Sequence, residues 1–165
     1  MPRAIAAAGS ALFFAIAPGL MGGLVPWWLT GWEAKDTRAP LVVLGAVLIA
    51  AGLAVLVQAF VRFVVEGIGT PAPVAPTEHL VVGGLYRHVR NPMYMAVTAI
   101  IVGQALVLGR PALLLYAAAF VAVTAAFARW FEEPDLRQRF GAEYDAYRRA
   151  VPGWWPRRRP WRPDA

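Results

Sequence analysis

The sequence predicts an all-α polytopic membrane protein of about four transmembrane helices, with a helical hairpin and a C-terminal amphipathic helix. Three observations predict it. The chain is 59% apolar over 165 residues, well above the roughly 45–50% of a soluble domain. Its mean hydropathy is +0.51. Its charges, 16% of residues, are bunched between long uncharged runs. One membrane domain over 1–165 accounts for this, with two N-terminal spans in 1–65. A loop, the hairpin spans and the amphipathic tail fill 66–165.

Four apolar runs define the elements in order. The first, Ala4 to Leu29, contains no charge. It is longer than the ~7–15 residues of a signal-peptide core, so it reads as a retained span. Trp27, Trp28 and Trp32 close it as an interfacial belt. The second runs from Pro40 to Val61. A span needs ~20 apolar residues, and both runs qualify. The third (Met93 to Leu108) and fourth (Ala112 to Phe127) are shorter and separated only by Gly109-Arg110-Pro111. That spacing predicts a tight helical hairpin.

Between the second and third runs lies a polar stretch, Glu66–Asn91, rich in turn-formers such as Gly67, Pro71, Pro73, Gly83 and Gly84. Such a loop is longer than a bare connection requires. After Glu133, Leu136, Phe140, Tyr144, Tyr147 and Val151 recur at helical spacing, with arginines on the other faces. Gly141 predicts a split in that helix. The stretch from Trp154 to Arg159 reads as an interfacial anchor on anionic lipid.

Composition also excludes functions. With no cysteine there is no disulfide framework and no thiolate nucleophile. Two histidines, His79 and His88, are too few for a metal cluster. The net charge of +6 is explained by arginines flanking spans, and nucleic acid is not needed as a partner. Arg3, Arg87, Arg90 and the basic tail fall on one side of a four-span topology, with Lys35, Arg38 and Arg110 on the other. The positive-inside bias then predicts both termini cytoplasmic, and the expected location is integral to a bacterial inner membrane.

Two polar clusters interrupt this pattern, Leu80 to Tyr94 and Arg129 to Tyr144. A hairpin brings the start of the third span beside the end of the fourth. Arg90, Asn91 and Tyr94 are therefore expected to approach Glu132 and Glu133 at the bilayer rim. Each residue also has a purely structural reading. Asn91-Pro92 is an ordinary helix start, and Glu133 before Pro134 would cap the next helix. Arg87 and Arg90 would anchor to phosphates, and Tyr86 and Tyr94 would be interface aromatics.

In order along the chain, Gly84-x-Tyr86, Arg90-Asn91-Pro92-Met93-Tyr94, Glu132-Glu133, Phe140-Gly141, Tyr144, Tyr147 and Val151-Pro152 resemble the isoprenylcysteine carboxyl methyltransferase family. That family shares its C-terminal architecture with the phospholipid N-methyltransferases. The resemblance covers roughly Gly67 to Pro156. It implies methyl transfer from S-adenosylmethionine to a lipophilic or small-molecule acceptor at the cytoplasmic face of a lipid bilayer. By position it places cofactor binding on Glu78, His79, Leu80, Val81, Tyr86, Asn91, Pro92, Met93, Tyr94 and Glu132. Arg90, Arg129 and Glu133 are its candidates for the reacting side. The chain departs from the family twice. Asn91 stands where the family has histidine, and Ala128 where it has a substrate-contacting arginine. The second departure weighs against a prenylcysteine carboxylate as acceptor. Two other classes are compatible with these residues, a steroid-reductase-like nicotinamide enzyme and a non-catalytic membrane scaffold.

Overall fold

The computed structural model describes residues 16–66 and 79–162, and among them helices are the only extended secondary structure. A π-helical turn, Leu20–Leu24, leads into α1 (Val25–Thr30). Then come α2 (Ala39–Glu66), a 3-10 turn (Gly84–Arg87), α3 (Pro92–Leu108), α4 (Ala112–Phe127), a second π-helical turn (Ala128–Glu132) and α5 (Glu133–Ala150). Two helical stretches are long and apolar enough to cross a membrane, Ala39–Arg62 and the continuous Ala112–Ala150, with mean hydropathies of 2.7 and 1.8. Only 17% of each apolar window is buried. The core helix of a soluble protein would be mostly covered, so these apolar faces suit lipid. Residues 4–15 of the first predicted span lie outside the described residues.

The central packing is α2 against α3, which run antiparallel in close contact. A Cβ on Gly45 would sit 2.5 Å from the Gly103 carbonyl oxygen, and one on Gly52 would sit 2.7 Å from that of Ala96. The two backbones meet at these small residues, as membrane helices do where burial from water offers little drive to associate. Leu56, Ile100, Ile101, Leu113 and Ala117 fill the core around this seam. The predicted hairpin is present. Gly109 ends α3 in the left-handed conformation, at φ 61°, and the Arg110 N–H returns to the Ala105 carbonyl.

Both π-helical turns precede a proline by one residue. Proline has no N–H, and its ring collides with the carbonyl four residues back. The ladder answers by stepping to i−5 bonds, from the Val25 N–H to Leu20 and from the Glu133 N–H to Ala128. In the first turn this frees the carbonyls of Met21 and Gly22. Tyr116 Oη donates to the first at 2.8 Å and Gln104 Nε2 to the second at 2.6 Å, so α3 and α4 hold the first helix by its displaced hydrogen bonds.

The second turn corrects an expectation. Glu133-Pro134 does not break the chain into two helices, and Glu133 caps nothing. The helix continues through Pro134 because the widened turn absorbs the proline. The break comes at Gly141, as the sequence predicts, with φ 53° and ψ −123°.

Candidate functional site

The site forms where α3 begins and α4 runs into α5. Asn91 occupies the N-cap position of α3, Pro92 its first residue, and Tyr94 follows. Tyr94 Oη donates a 2.5 Å hydrogen bond to Glu132 Oε1. The Tyr94 ring stacks on Trp154, at 6.2 Å between centroids and 20° between planes. Phe120 meets it edge-on at 6.5 Å. Four residues before Tyr94, Arg90 Nη1 pairs with Glu133 Oε1 at 2.8 Å and donates to Tyr144 Oη at 3.1 Å. Its Nε donates to the Val151 carbonyl. The other Glu133 oxygen is shared by Arg148 at 3.1 Å and Arg129 at 3.4 Å.

The π-helical turn explains how adjacent glutamates serve different partners on the same side. On an ideal helix they would point about 100° apart. Here Glu132 reaches Tyr94 and Glu133 reaches Arg90, one turn apart on α3 and its lead-in.

The chain after α5 folds back across this cluster. The N–H groups of Arg90 and Asn91 donate to the carbonyls of Pro152 and Gly153, and those of Arg157 and Trp161 to His88 and Arg87. Trp154 is thereby seated on Tyr94, while Trp155 stays 82% exposed. Only the second of these adjacent tryptophans fits the anchor expected from sequence. The first is a site residue that sequence reasoning missed. Tyr144 stands in the motif without a site role, and Arg148, expected on an outer face, instead reaches Glu133.

Burial sets the electrostatics. Glu132 lies beyond the last residue of α4, and burial raises its carboxyl pKa. The hydrogen bond from Tyr94 opposes that rise, and the nearby Glu133 charge adds to it. Burial likewise raises the phenols of Tyr144 and Tyr147, against the pull of Arg90. The Tyr147 hydroxyl thus stays a donor, bonded to the Tyr86 carbonyl at 2.7 Å. The Tyr86 phenol is raised well above its ordinary value by burial.

The residues expected to hold a cofactor divide into two sets. Asn91, Tyr94 and Glu132 converge at the α3 start, joined there by Arg90 and Glu133, and Arg129 reaches Glu133 from an exposed position. Leu80, Val81, Tyr86 and Pro92 are instead buried packing residues. Leu80 packs with Tyr144, Tyr147 and Val151, and Val81 and Tyr86 pack with Ala59. Met93 is half-buried against the core. His79 is exposed. Glu78 lies outside the described residues.

Asn91 makes no side-chain capping hydrogen bond, so the ordinary helix-start role does not use its amide. S-adenosylmethionine presents an ammonium, a carboxylate, ribose hydroxyls, an adenine and a sulfonium. A half-buried carboxylate, an amide with no hydrogen-bond partner among the described residues, an arginine and stacked aromatic faces form a donor and acceptor set of matching chemistry.

Two apolar helices of membrane-crossing length, with a polar cluster where α3 begins, make the described residues an all-helical chain suited to a membrane. The family model for phospholipid methyltransferase matches residues 40–143, and the chain belongs to that family. No curated protein and no solved structure shows a significant match. The matched range holds α2, α3, α4 and both glutamates, but it stops before Tyr144 and the returning tail.

Proposed function

We propose that the protein is an S-adenosylmethionine-dependent methyltransferase acting on a lipophilic or small acceptor at the cytoplasmic face of the membrane. The observation that carries the reading is the Tyr94–Glu132 pair, stacked under Trp154 and set beside the Arg90–Glu133 ion pair. Membership of a methyltransferase family supports it.

In this reading Glu132 binds the cofactor's ammonium or ribose hydroxyls, and Tyr94 holds that carboxylate in place. Asn91 offers its amide where relatives offer a ring nitrogen. Tyr94 and Trp154 present aromatic faces that tolerate a positive sulfur. When bound, S-adenosylmethionine supplies an electrophilic methyl carbon and a leaving group that departs as a neutral thioether. The acceptor's lone pair forms the new bond to that carbon as the sulfur–carbon bond breaks, and an amine acceptor sheds its proton to water. The chain's task is then to hold two reactants in line, which is worth several kcal/mol when geometry is right. Arg90 keeps Nη2 uncommitted among the described residues, free to orient a carboxylate or phosphate. Glu133 and Arg129 set the position of Arg90.

Calorimetry on the detergent-purified full chain tests this. S-adenosylmethionine is expected to bind and NADPH to give no heat. Heat from NADPH alone would establish the reductase class, and heat from neither would leave a scaffold.

The same reading has four spans with both termini cytoplasmic. The loop between α1 and α2 docks on the α3–α4 turn through Lys35 N–H to the Leu108 carbonyl and Arg110 to Glu33. The arginine-rich segments gather at the opposite end of the bundle. Reporters placed at the C-terminal end and inside the Glu33–Arg38 loop should lie on opposite sides of the membrane. Reporters on one side would overturn this topology.

A further inference from the structure

The chain after α5 has two faces. Pro152, Pro156 and Pro160 recur at every fourth residue. Proline has no N–H and pushes the residue before it out of the helical region. The helix therefore stops at Ala150, and Val151 is already extended, at φ −114° and ψ 120°. The residue after each proline turns inward. The Gly153 carbonyl accepts from the Asn91 N–H, and the N–H groups of Arg157 and Trp161 donate to the His88 and Arg87 carbonyls. The last two contacts are returned by side chains. Arg87 Nε donates to the Trp161 carbonyl at 2.8 Å, and His88 Nδ1 lies 2.8 Å from the Arg157 carbonyl oxygen. The tail thus runs opposite in direction to residues 87–91, the lead-in to α3. Trp161 closes its far end against Tyr147, at 5.4 Å between ring centroids.

The outward face differs in kind. Trp155, Arg158, Arg159 and Arg162 are exposed. These arginines have no acidic partner among the described residues, whereas Arg137, Arg139 and Arg148 on α5 are each ion-paired. An exposed indole beside unpaired guanidiniums suits one partner. Tryptophan settles at the headgroup level of a bilayer, and basic residues beside it are drawn to an anionic leaflet. The position fits as well, because the tail crosses the start of α3, the rim at which that apolar helix ends.

The two faces alternate along one chain, and this couples them. Trp154 stacks on Tyr94, while its neighbour Trp155 points outward. Lipid on the outer face competes for none of the inner hydrogen bonds. Whatever binds only the seated tail favours seating by mass action. A ligand that needs the tail seated favours lipid docking in return. We propose that the outer face of the tail docks on anionic lipid, and that docking keeps Trp154 on Tyr94 and so raises affinity at the Tyr94–Glu132 site. The second half rests on the methyltransferase reading above, in which the ligand is S-adenosylmethionine. The tail is then more than an anchor, since membrane surface charge regulates the site through it.

The test uses the full chain in nanodiscs of phosphatidylcholine alone, or of phosphatidylcholine and phosphatidylglycerol in equal parts. Hydrogen exchange of the segment after Ala150 reads seating, because the Arg157 and Trp161 amides are bonded only on the seated tail. Each basic residue near an anionic surface strengthens attachment about fivefold. A tail that lets go stays tethered at Ala150 and keeps part of that attraction. Phosphatidylglycerol is therefore expected to slow tail exchange about tenfold and to raise S-adenosylmethionine affinity by a similar factor. Added salt should cancel much of both effects. Arg158→Gln, Arg159→Gln and Arg162→Gln together should abolish the response and leave exchange in phosphatidylcholine as it was. Trp154→Ala should keep the slowing of tail exchange by phosphatidylglycerol and lose the gain in cofactor affinity. Equal exchange in the two lipids, faster exchange with phosphatidylglycerol, or a triple variant that still responds would overturn the docking surface. Inorganic phosphate that slows exchange in phosphatidylcholine discs would overturn it too, by making the face a site for a free anion. Slowed exchange with unchanged cofactor affinity would overturn the coupling. Slowed exchange with no S-adenosylmethionine binding in either lipid would keep the lipid surface and sink the methyltransferase reading, the coupling with it.

Discussion

Replacing Arg90 with alanine should produce the largest loss of stability of any single change in the polar cluster. Arg90 is 14% exposed and so is Glu133, so solvent screens their attraction little. The guanidinium meets Glu133, the Tyr144 hydroxyl and the Val151 carbonyl. Its backbone N–H, which alanine would keep, meets Pro152. Removing one member of a buried pair costs about 3–5 kcal/mol, mostly because the partner is left without compensation. Here Arg148 and Arg129 remain on Glu133, so about 3 kcal/mol is the better expectation. Arg90→Lys keeps the charge but loses the fork that reaches Val151 and Glu133 together, and should fall between. Melting temperature in detergent reads the stability, and limited proteolysis after Ala150 reads whether the tail has come away. An Arg90→Ala protein that melts with the wild type and keeps its tail protected would show that the cluster does not hold the returning chain.

The sequence made part of this arrangement visible because the relevant signals are local. Gly109-Arg110-Pro111 is too short to do anything but turn, and a hairpin then forces Arg90 and Tyr94 toward Glu132 and Glu133. Gly141 interrupts α5 because only glycine takes its backbone angles without strain. What stayed hidden depends on pairs of distant residues. Pro26 and Pro134 each look like helix breakers. Only the i−5 ladder, and in the first case Gln104 and Tyr116, shows how the helix passes through them. Gly45 and Gly103 look like ordinary glycines in apolar runs until their carbonyls are seen within reach of each other's Cβ position. Trp154 and Trp155 are indistinguishable in a hydropathy pattern. The backbone bonds of Asn91 to Gly153 and Arg90 to Pro152 decide that the first turns inward.

Glu132→Gln should separate binding from stability, because the same burial acts on both in opposite directions. Gln keeps the shape and still accepts from Tyr94, but it removes the charge. In the proposed site that charge meets the cofactor's ammonium or hydroxyls. Charge-assisted hydrogen bonds contribute about 1.5–3 kcal/mol, so S-adenosylmethionine affinity should fall about tenfold or more. Stability should move the other way. Burial raises the Glu132 carboxyl pKa above its ordinary value, so without cofactor the ionised form is disfavoured by folding. A carboxyl with a raised folded pKa gives its full stability only below the unfolded pKa, and loses it as pH rises through the folded one. At neutral pH the wild-type glutamate is thus a net cost that glutamine does not carry. The variant without cofactor should melt above the wild type near pH 7. That advantage should shrink as pH falls toward the ordinary glutamate range, about pH 4, where the wild-type carboxyl protonates as well. Melting temperature from pH 4 to 8, with and without saturating S-adenosylmethionine, reads both effects at once. The cofactor should raise the wild-type melting temperature more than the variant's. A variant that loses melting temperature at neutral pH and keeps its affinity would show that Glu132 serves the fold, and the proposed cofactor site would fall with it.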